Sequence, residues 1–383
     1  MRFVRVFVSV LVLLVVFFLN TSNSFAASYI DKEVDSKVTT ESVKSASSLE
    51  ELKNQIHQAM SKRQTSFTIE YTGNPNKLTE NIKKIVEQIF TEDEYLNYDY
   101  RSYRYTWKNS GNRAVIDFNV SYFQTKEQLE YVNKRIQEIL DDIIDPSMND
   151  HEKVKAVHDY IVLNVKYDTT YNQSHNAAYF ALKNGVTMCN GYSMLAYQML
   201  EELGIPVRFI SGRAGKENHV WNLVQLDGKW YHLDVTWDDP SPDEPGRVMY
   251  DYYLLSDQEI QKDHSWKEGG LNGLNPPYPQ ANTVYLNELV KLGEMELMEN
   301  LGLHYLTSDW TVNENQLSSY LKGKLTNQEK SFSFRFVTSR SNEFQQMVSK
   351  ATNGMRFKNL NWQIAEYQRT PEQDYIVNVT VGY

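Results

Sequence analysis

Asp227-Gly228 is the sequence feature that most constrains the fold of this chain. An Asp-Gly pair between two strand-like segments is a strong signal for a β-hairpin with a two-residue turn, because both residues tolerate a positive φ. Residues 220–226 and 229–235 flank the pair and have strand character. Leu226 then faces Lys229, and the pairing of the whole hairpin follows. A shift by one residue would turn every side chain to the opposite face, so the register is strict.

The predicted register brings a histidine and a carboxylate together. Trp221 lies opposite Asp234, and His219 is therefore a diagonal neighbour of Asp234 on the same face, roughly 7 Å away at the backbone. A carboxylate beside an imidazole stabilises the protonated ring and leaves its second nitrogen free to accept a proton from a nucleophile. The alternative is that both residues only bond to neighbouring polar groups. His232 shares the face and is the second candidate base, but no carboxylate occupies its diagonal position.

Cys189 is the only cysteine in the chain, so no internal disulfide can form and stability depends on hydrophobic cores. A lone thiol is an inert buried group, a link between two chains or a nucleophile. Cys189 follows residues 185–188 at the predicted start of a helix. Unpaired N–H groups and the positive dipole end at a helix start stabilise both a thiolate and an oxyanion. This position favours the nucleophile.

Two segments outside the hairpin region have the same order of hydrophobic patterns. The first runs from a helix capped at Ser48 to residue 124 and predicts an α-β-α-β-β module. Five of its positions recur near the C terminus at an offset of 265, and four recur at an offset of 261. The first set is Leu52, Ile56, Phe67, Ile69 and Tyr71 against Leu317, Leu321, Phe332, Phe334 and Phe336. The second set is Ile116, Phe118, Val120 and Tyr122 against Val377, Val379, Val381 and Tyr383. We predict two diverged copies of one module, with chance similarity as the alternative.

The segment between these modules predicts helices first and an antiparallel sheet after them, which is typical of an α+β domain. Helices are expected over residues 126–145, from a cap at Asn149, and from Cys189 to a stop at Gly204. The strands are expected at residues 206–211, 220–226 and 229–235. The resulting division is a signal peptide (1–26), a flexible leader (27–47), an N-terminal module (48–124), a catalytic domain (125–280), a helical connector (281–325) and a C-terminal β-α-β-β module (326–383).

The first residues predict export. Arg2 and Arg5 precede an apolar run over residues 6–19, and small residues flank a cleavage site after Ala26. An uncleaved N-terminal membrane anchor is the alternative. Beyond this segment no stretch predicts contact with a membrane. The formal net charge is −10, so the composition has no electrostatic footprint for a nucleic-acid partner.

A linked set of motifs within residues 150–266 resembles the core of the transglutaminase-like superfamily, including its bacterial exported members. These motifs are His158-Asp159-Tyr160, Tyr167-Asp168, Gly185-Val186-Thr187-Met188-Cys189-Asn190-Gly191-Tyr192, Gly204-Ile205-Pro206, Ser211-Gly212, His219-Val220-Trp221-Asn222, Gly228-Lys229-Trp230-Tyr231-His232-Leu233-Asp234-Val235-Thr236-Trp237 and Tyr252-Tyr253-Leu254-Leu255-Ser256-Asp257. The resemblance implies a papain-like α+β fold with a catalytic triad of Cys189, His219 and Asp234. The flanking α/β modules lie outside it.

Met188 departs from the family pattern, which has a small or aliphatic residue before the cysteine. This difference bears on access to the thiol and on substrate shape. We place the substrate and oxyanion region of the predicted site at Asn190, Gly191, Tyr192 and Trp221. We expect no cofactor and no metal.

Other polar groups have weaker chemical interpretations. His151 and His158 are seven residues apart rather than the four of a helical zinc-protease motif, so capping and core roles are expected. His264 is expected to be structural. The acidic loop 238–244 lacks the spacing of a calcium loop and is expected to be a solvated rim near the substrate cleft. The aromatic residues within 98–107 could dock a glycan or peptide, or simply pair across strands.

The sequence therefore predicts an exported thiol enzyme that transfers acyl groups from protein or peptide amides, with cell-envelope proteins as the expected substrates. Cross-linking, deamidation and peptide hydrolysis share the first half-reaction, so the residues leave the acceptor open. The alternative is a non-catalytic envelope-binding or scaffold protein that retains the fold.

Overall fold

The computed structural model describes residues 44–110, 112–370 and 374–383. The predicted signal peptide and the predicted leader up to residue 43 lie outside this part of the chain. None of the described helices is long and apolar enough to cross a membrane.

The N-terminal module is a four-stranded sheet with helices packed against it. Its elements are β1 (Lys44–Ala46), α1 (Leu49–Ser61), β2 (Ser66–Tyr71), α2 (Leu78–Glu92), α3 (Glu94–Asp99), β3 (Tyr100–Ser110) and β4 (Arg113–Tyr122). The strand order is β1-β2-β4-β3, with β1 parallel to β2 and the other pairs antiparallel. The predicted cap at Ser48 forms, since its hydroxyl accepts from the backbone N–H of Glu51 at 3.2 Å. The Glu51 carboxylate in turn accepts from the backbone N–H of Ser47. Alternate residues of β2 and β4 build a core with α1 and α2.

The central domain places one buried helix between other helices and an antiparallel sheet. Its helices are α4 (Lys126–Ile143), α5 (Asp150–Asn164), α6 (Ala178–Asn184), α7 (Cys189–Glu202), α8 (Asp257–Ile260), α9 (Tyr285–Leu292) and α10 (Met295–Asn300). Its strands are β5 (Lys166–Tyr167), β6 (Val186–Thr187), β7 (Val207–Ala214), β8 (Glu217–Leu226), β9 (Lys229–Leu233) and β10 (His264–Trp266). The sheet has the order β10-β7-β8-β9, and α7 packs against α4, α5, α6 and the strands β7 and β8. This architecture confirms the α+β prediction.

The β8–β9 hairpin has the predicted register. Leu226 pairs with Lys229 and Asn222 pairs with Leu233, while Asp227 and Gly228 have φ values of 49° and 74°. Both positive φ values match a type I′ turn, which the Asp-Gly pair favours. The two faces of β8 differ as alternation requires, since Val224 joins the core around α7 and Trp221 joins a second cluster on the opposite face.

The C-terminal module repeats the architecture of the first one. Its elements are β11 (Thr311–Asn313), α11 (Glu314–Thr326), β12 (Ser331–Val337), α12 (Phe344–Ala351), β13 (Asn359–Tyr367) and β14 (Asp374–Gly382). The strand order is β11-β12-β14-β13, which matches the order of the N-terminal sheet element for element. Phe67 pairs with Phe118 in the first sheet and Phe332 pairs with Val379 in the second. These pairs are related by the two sequence offsets that suggested a repeat.

Short elements account for the differences from the sequence expectations. β1 lies inside the segment expected to be a flexible leader, and β11 lies inside the expected helical connector. Each has only three residues and is fixed by parallel pairing with the next strand, so it leaves no periodic pattern in the sequence. Tyr98, expected to begin a strand, instead belongs to α3 and is buried. The remaining boundaries of the domain division stay predictions.

Both modules contact the central domain through specific polar bonds. On the N-terminal side, the Asn190 amide donates to the Tyr98 carbonyl at 3.1 Å, and Arg208 forms an ion pair with Glu94. On the C-terminal side, Arg369 Nη1 donates to the carbonyl oxygens of Tyr250 and Tyr253 at 2.6 and 2.7 Å.

Candidate active site

Cys189 is the first residue of α7 and its side chain is partly exposed. Met188 precedes the helix in an extended conformation, and the short parallel pair β5–β6 brings the chain to this point. Gly191 lies against Thr187, where a Cβ atom would overlap the threonine hydroxyl. The helix start is therefore fixed in close contact with the strand before it, which sets the position of the thiol.

His219 lies near the start of β8 and is almost fully buried. Its Nε2 atom is 2.7 Å from Asp234 Oδ2, as the hairpin register predicts. The Cys189 thiol is the second neighbour that raises the pKa of this ring. Because Nε2 faces the carboxylate, Nδ1 is the nitrogen left for the thiol. The structure thus brings Cys189, His219 and Asp234 together, with His219 between the thiol and the carboxylate.

The protonated form of His219 is favoured by its neighbours. Burial alone would lower the pKa of His219, but the charge of Asp234 and the hydrogen bonds to Asp234 and Cys189 outweigh it and raise the pKa to about 10. Burial likewise opposes ionisation of Asp234, and the adjacent His219 and His264 hold the pKa of that carboxyl well below its usual range. The raised pKa of His219 and the lowered pKa of Asp234 both favour an imidazolium paired with a carboxylate.

Asp234 has all four of its acceptor positions occupied. Oδ1 accepts from the backbone N–H groups of Thr236 and Trp237 at 3.1 and 3.2 Å. Oδ2 lies between His219 Nε2 and His264 Nε2, the latter at 3.0 Å. A carboxylate offers about four lone-pair sites, so this group is held in one orientation.

Aromatic rings shield the His219–Asp234 pair from water. The Trp221 ring is stacked on His219 with centroids 5.7 Å apart and an angle of 17° between the planes. Trp237 covers another side, with its ring centroid 6.2 Å from that of His219. Exclusion of water strengthens the attraction between the two charges, because the local dielectric constant is lower than in solvent.

The residues predicted to form the oxyanion region have other partners. Asn190 donates to the carbonyls of Tyr98 and Asn176, each at 3.1 Å. The Tyr192 hydroxyl donates to Asp239 at 2.6 Å, and Trp221 Nε1 donates to His232 Nδ1 at 3.0 Å. The Gly191 N–H bonds to Met188 and Asn176. These groups are therefore engaged within the protein, which leaves the backbone N–H groups of Cys189 and Asn190, the first two residues of α7, as candidate donors to an oxyanion.

His264 is the functional neighbour that the sequence did not identify. It was expected to be structural, yet its ring contacts the carboxylate that pairs with His219. The ligand atoms of His219, Asp234 and His264 lie within 4.8 Å of one another, close enough for a shared ion. Hydrogen bonds from both rings to one carboxylate oxygen account for this proximity, so we assign no metal to the cluster. The sequence carried no signal for this contact, because the strand that holds His264 has only three residues.

The other sequence candidates have structural partners. His151 bonds to Tyr285 and Asp227, and His232 bonds to Trp221 and Asp257, so neither ring faces Cys189. In the acidic loop, Asp238 and Asp239 are buried rather than solvated. Asp238 bonds to His158, and burial raises the pKa of both Asp238 and Asp239 to about 6.

The aromatic residues of the N-terminal module also pack against protein. The Tyr98 ring stacks on Phe209 with centroids 4.2 Å apart, and the Tyr100 ring stacks on Phe90 at 3.9 Å. Trp107 Nε1 donates to Thr79 at 3.1 Å. Packing between elements therefore explains this aromatic cluster without a ligand.

Part of the chain that includes these residues is similar to known proteins. The family model described as Transglutaminase-like superfamily matches residues 137–235, which contain Cys189, His219 and Asp234. The proteins named kyphoscoliosis peptidase from Mus musculus and Homo sapiens are each 26% identical to it, over 122 and 118 residues respectively. Those matches cover 28% and 27% of this chain but 18% of each relative, so the chain spans about a fifth of their length.

A solved structure described as a TGase also aligns with part of this chain. It is 15% identical, with a TM-score of 0.27, and the alignment covers 48% of this chain and 54% of that one.

Proposed function

We propose that the chain is a thiol-dependent acyl-transfer enzyme acting on amide or peptide carbonyls, with Cys189, His219 and Asp234 as its catalytic triad. One observation carries the proposal: the imidazole beside the thiol at the start of α7 has its Nε2 2.7 Å from a buried carboxylate. This is the arrangement that activates a cysteine nucleophile.

The first half-reaction forms a thioester and releases an amine. The Cys189 thiolate attacks the carbonyl carbon, and the oxyanion that forms lies near the N–H groups at the start of α7. His219 then donates its Nδ1 proton to the departing nitrogen as the carbon–nitrogen bond breaks. Asp234 keeps the ring oriented and stabilises its charge throughout. The raised pKa of His219 supports its role as the acid of this step.

The second half-reaction returns the enzyme to its starting state. Water or an amine attacks the thioester carbonyl, His219 accepts a proton from the attacking group, and the Cys189 thiolate leaves. Water gives peptide hydrolysis or deamidation, and an amine gives a cross-link. The matched relatives are named peptidases, so peptide hydrolysis is the outcome to test first.

The substrates we propose are proteins or peptides of the cell envelope or the extracellular space. The support is the basic and apolar N-terminal segment with small residues before Ala27. Expression of the full chain in a secretion-competent host, followed by N-terminal sequencing, tests whether the protein is exported. A mature protein that begins at Ala27 is expected, and retention of Met1 in a cytosolic fraction would contradict it.

A three-product assay tests the reaction. The protein is incubated with a glutamine-bearing protein and a dansyl-amine, and incorporated dansyl, free ammonia and new peptide ends are measured. Cys189→Ala is expected to abolish all three, and His219→Gln is expected to reduce them by roughly 10³-fold. His232→Gln is the matched control, because it removes a buried histidine of the same sheet that does not face the thiol.

The controls separate the enzyme from a scaffold protein. Equal product yields from the wild-type protein and Cys189→Ala would overturn the proposed function and favour the non-catalytic alternative. A larger loss in His232→Gln than in His219→Gln would instead reassign the base.

A further inference from the structure

His264 lies between two carboxylates in the interior of the transglutaminase-like domain. Its Nε2 is 3.0 Å from Asp234 Oδ2, and its Nδ1 is 2.5 Å from Asp263 Oδ1. The second oxygen of Asp263 accepts from the Tyr252 hydroxyl at 2.6 Å. The side chain of His264 is completely buried. None of these contacts belongs to the proposed triad, but one of them shares the triad carboxylate.

The two partners define the charge of His264. An ionised carboxylate can only accept hydrogen bonds, so a ring with a carboxylate on each nitrogen must carry a proton on both. His264 is therefore an imidazolium. Burial opposes this charge, but the bonds to Asp234 and Asp263 outweigh it, and the pKa of His264 is raised.

The pairing of β10 with β7 places the His264 ring beside Asp234. β10 pairs with β7 so that His264 lies opposite Ala214 and Trp266 lies opposite Gly212. A Cβ atom at Gly212 would overlap the Ser265 carbonyl oxygen, so the glycine permits the close approach. Rings of Trp221, Trp237 and Tyr252 enclose the imidazole, with centroids 5.1, 4.7 and 5.4 Å away. Because this packing holds the His264 ring in one position, its charge lies at a fixed distance from Asp234 and His219.

We propose that His264 is a positioning residue: it fixes the Asp234 carboxylate and weakens the attraction between that carboxylate and protonated His219. This inference rests on the proposed function, because it concerns the proton that His219 passes to the leaving group. The two imidazolium rings have centroids 5.7 Å apart and repel each other across the shared oxygen. A proton held less tightly by His219 is easier to donate to the departing amine.

The charges of several titratable groups around His264 and His219 affect how tightly each ring holds its proton. His264 faces Asp234, Asp263, Tyr252, His219 and His232. Lys262 lies next to Asp263 and over the Tyr252 ring. His219 faces Asp234, Cys189 and His264. Loss of the His264 charge removes one repulsive partner of His219 and leaves Asp234 a stronger base. Both effects raise the pKa of His219.

The size of the shift follows from the ring separation. A unit charge 5.7 Å from the His219 ring in a partly shielded interior should move the pKa of His219 by about one to two units. His264→Gln removes the charge while keeping an amide that can still donate to Asp234. The change is therefore mainly electrostatic, and the pKa of His219 should rise.

His158 offers a matched control in the same domain. Its ring also lies between two carboxylates, with Nδ1 3.0 Å from Asp159 and Nε2 3.1 Å from Asp238, and it is equally buried. It makes no contact with the Asp234 carboxylate. His158→Gln therefore removes a comparable buried charge, with a comparable effect on stability, away from the site.

The experiment measures the titration of His219 by NMR in full-length protein with ¹⁵N-labelled histidine. A Cys189→Ala background is used because the Cys189 bond raises the pKa of His219, so removing it brings the titration into a milder range. Adding His264→Gln should raise the His219 pKa by about one to two units, and adding His158→Gln should change it by less than roughly 0.3 units. The pH profile of acyl transfer is measured in parallel with Cys189 intact, where His264→Gln should move the alkaline limb upward.

The outcomes separate this proposal from the proposed function. An unchanged or lowered His219 pKa in the His264→Gln variant would overturn the positioning role, whether or not the protein transfers acyl groups. Equal shifts from His264→Gln and His158→Gln would also overturn it, because they would indicate a general loss of packing. If the titration shifts as expected but the Cys189-intact protein forms no thioester, the coupling stands and the enzymatic proposal fails.

Discussion

Gly191→Ala is the substitution that most directly tests how the thiol is positioned. An added Cβ would lie 2.7 Å from Thr187 Cγ2 and 2.8 Å from Thr187 Cβ, whereas ordinary contacts begin at 3.4 Å. Thr187 cannot easily rotate away, because it is fully buried and donates to the His175 carbonyl at 2.8 Å. The start of α7 must then move by at least about 0.7 Å, the difference between the 3.4 and 2.7 Å distances.

This displacement has two measurable consequences. Overpacking of a filled interior costs about 1–3 kcal/mol of the free energy of unfolding. Because Cys189 is two residues from Gly191, its distance from His219 should also change, and an error near 1 Å can reduce a rate by about 10²-fold. We expect Gly191→Ala to unfold at a lower urea concentration than the wild-type protein. We also expect its Cys189 to be alkylated by iodoacetamide about 10- to 100-fold more slowly.

Two further variants make the test strict. Gly323→Ala is a matched control, because that glycine lies in the exposed middle of α11 with open space around it, and it should stabilise the protein by about 0.5–1 kcal/mol. Adding Thr187→Ala to Gly191→Ala removes Oγ1 and Cγ2, the two nearest atoms of the overlap, but keeps Cβ, so it should restore part of the alkylation rate. Wild-type stability and alkylation in Gly191→Ala would refute the close contact described here.

Three other predictions follow from buried charges. Asp234→Asn should lower the pKa of His219 from about 10, because the largest contribution that opposes burial is lost, and an unchanged His219 titration by NMR would contradict this. The same variant should slow acyl transfer by roughly 10³- to 10⁴-fold. The pH dependence of urea unfolding should follow the same pair. The lowered pKa of Asp234 contributes stability above 3.8 that is lost as the pH falls, and the raised pKa of His219 contributes stability below 6.5 that is lost as the pH rises through about 10. The urea concentration at the midpoint of unfolding should therefore be highest between pH 3.8 and pH 6.5. His219→Gln should remove the decline in stability at alkaline pH, and persistence of that decline would assign it to another group. Arg63→Ala should cost about 3–5 kcal/mol, because it leaves the buried Asp99 carboxylate without the guanidinium 2.6 Å away, and Arg63→Ala/Asp99→Asn should recover part of that loss in a double-mutant cycle.

The hairpin explains why much of the site could be predicted. Its two strands are joined by two residues whose backbone preferences select one turn, so the register of β8 on β9 is a local property. His219 and Asp234 inherit their contact from that register. The position of Cys189 is also local, since Gly185 with φ of 65° ends α6 and the chain enters α7 four residues later.

The contacts of the predicted oxyanion side chains were not local. Asn190 was expected beside the substrate, but its amide bonds to the Tyr98 carbonyl, 92 residues earlier in the chain. Tyr192 was expected there too, and its hydroxyl bonds to Asp239. A buried polar group takes whichever partner the packing brings near it, because leaving it unpaired costs more than any particular choice of partner.

The sequence by itself thus determined the α+β class, the register of the hairpin, the contact of His219 with Asp234 and the position of Cys189 at a helix start. These depend on turn chemistry, hydrophobic alternation and a helix start, all of which act over a few neighbouring residues. Only the tertiary structure placed His264 on the opposite side of Asp234, through a three-residue strand paired with β7. Such a strand is too short to carry a periodic pattern, and its pairing becomes favourable only when the surrounding aromatic core has formed.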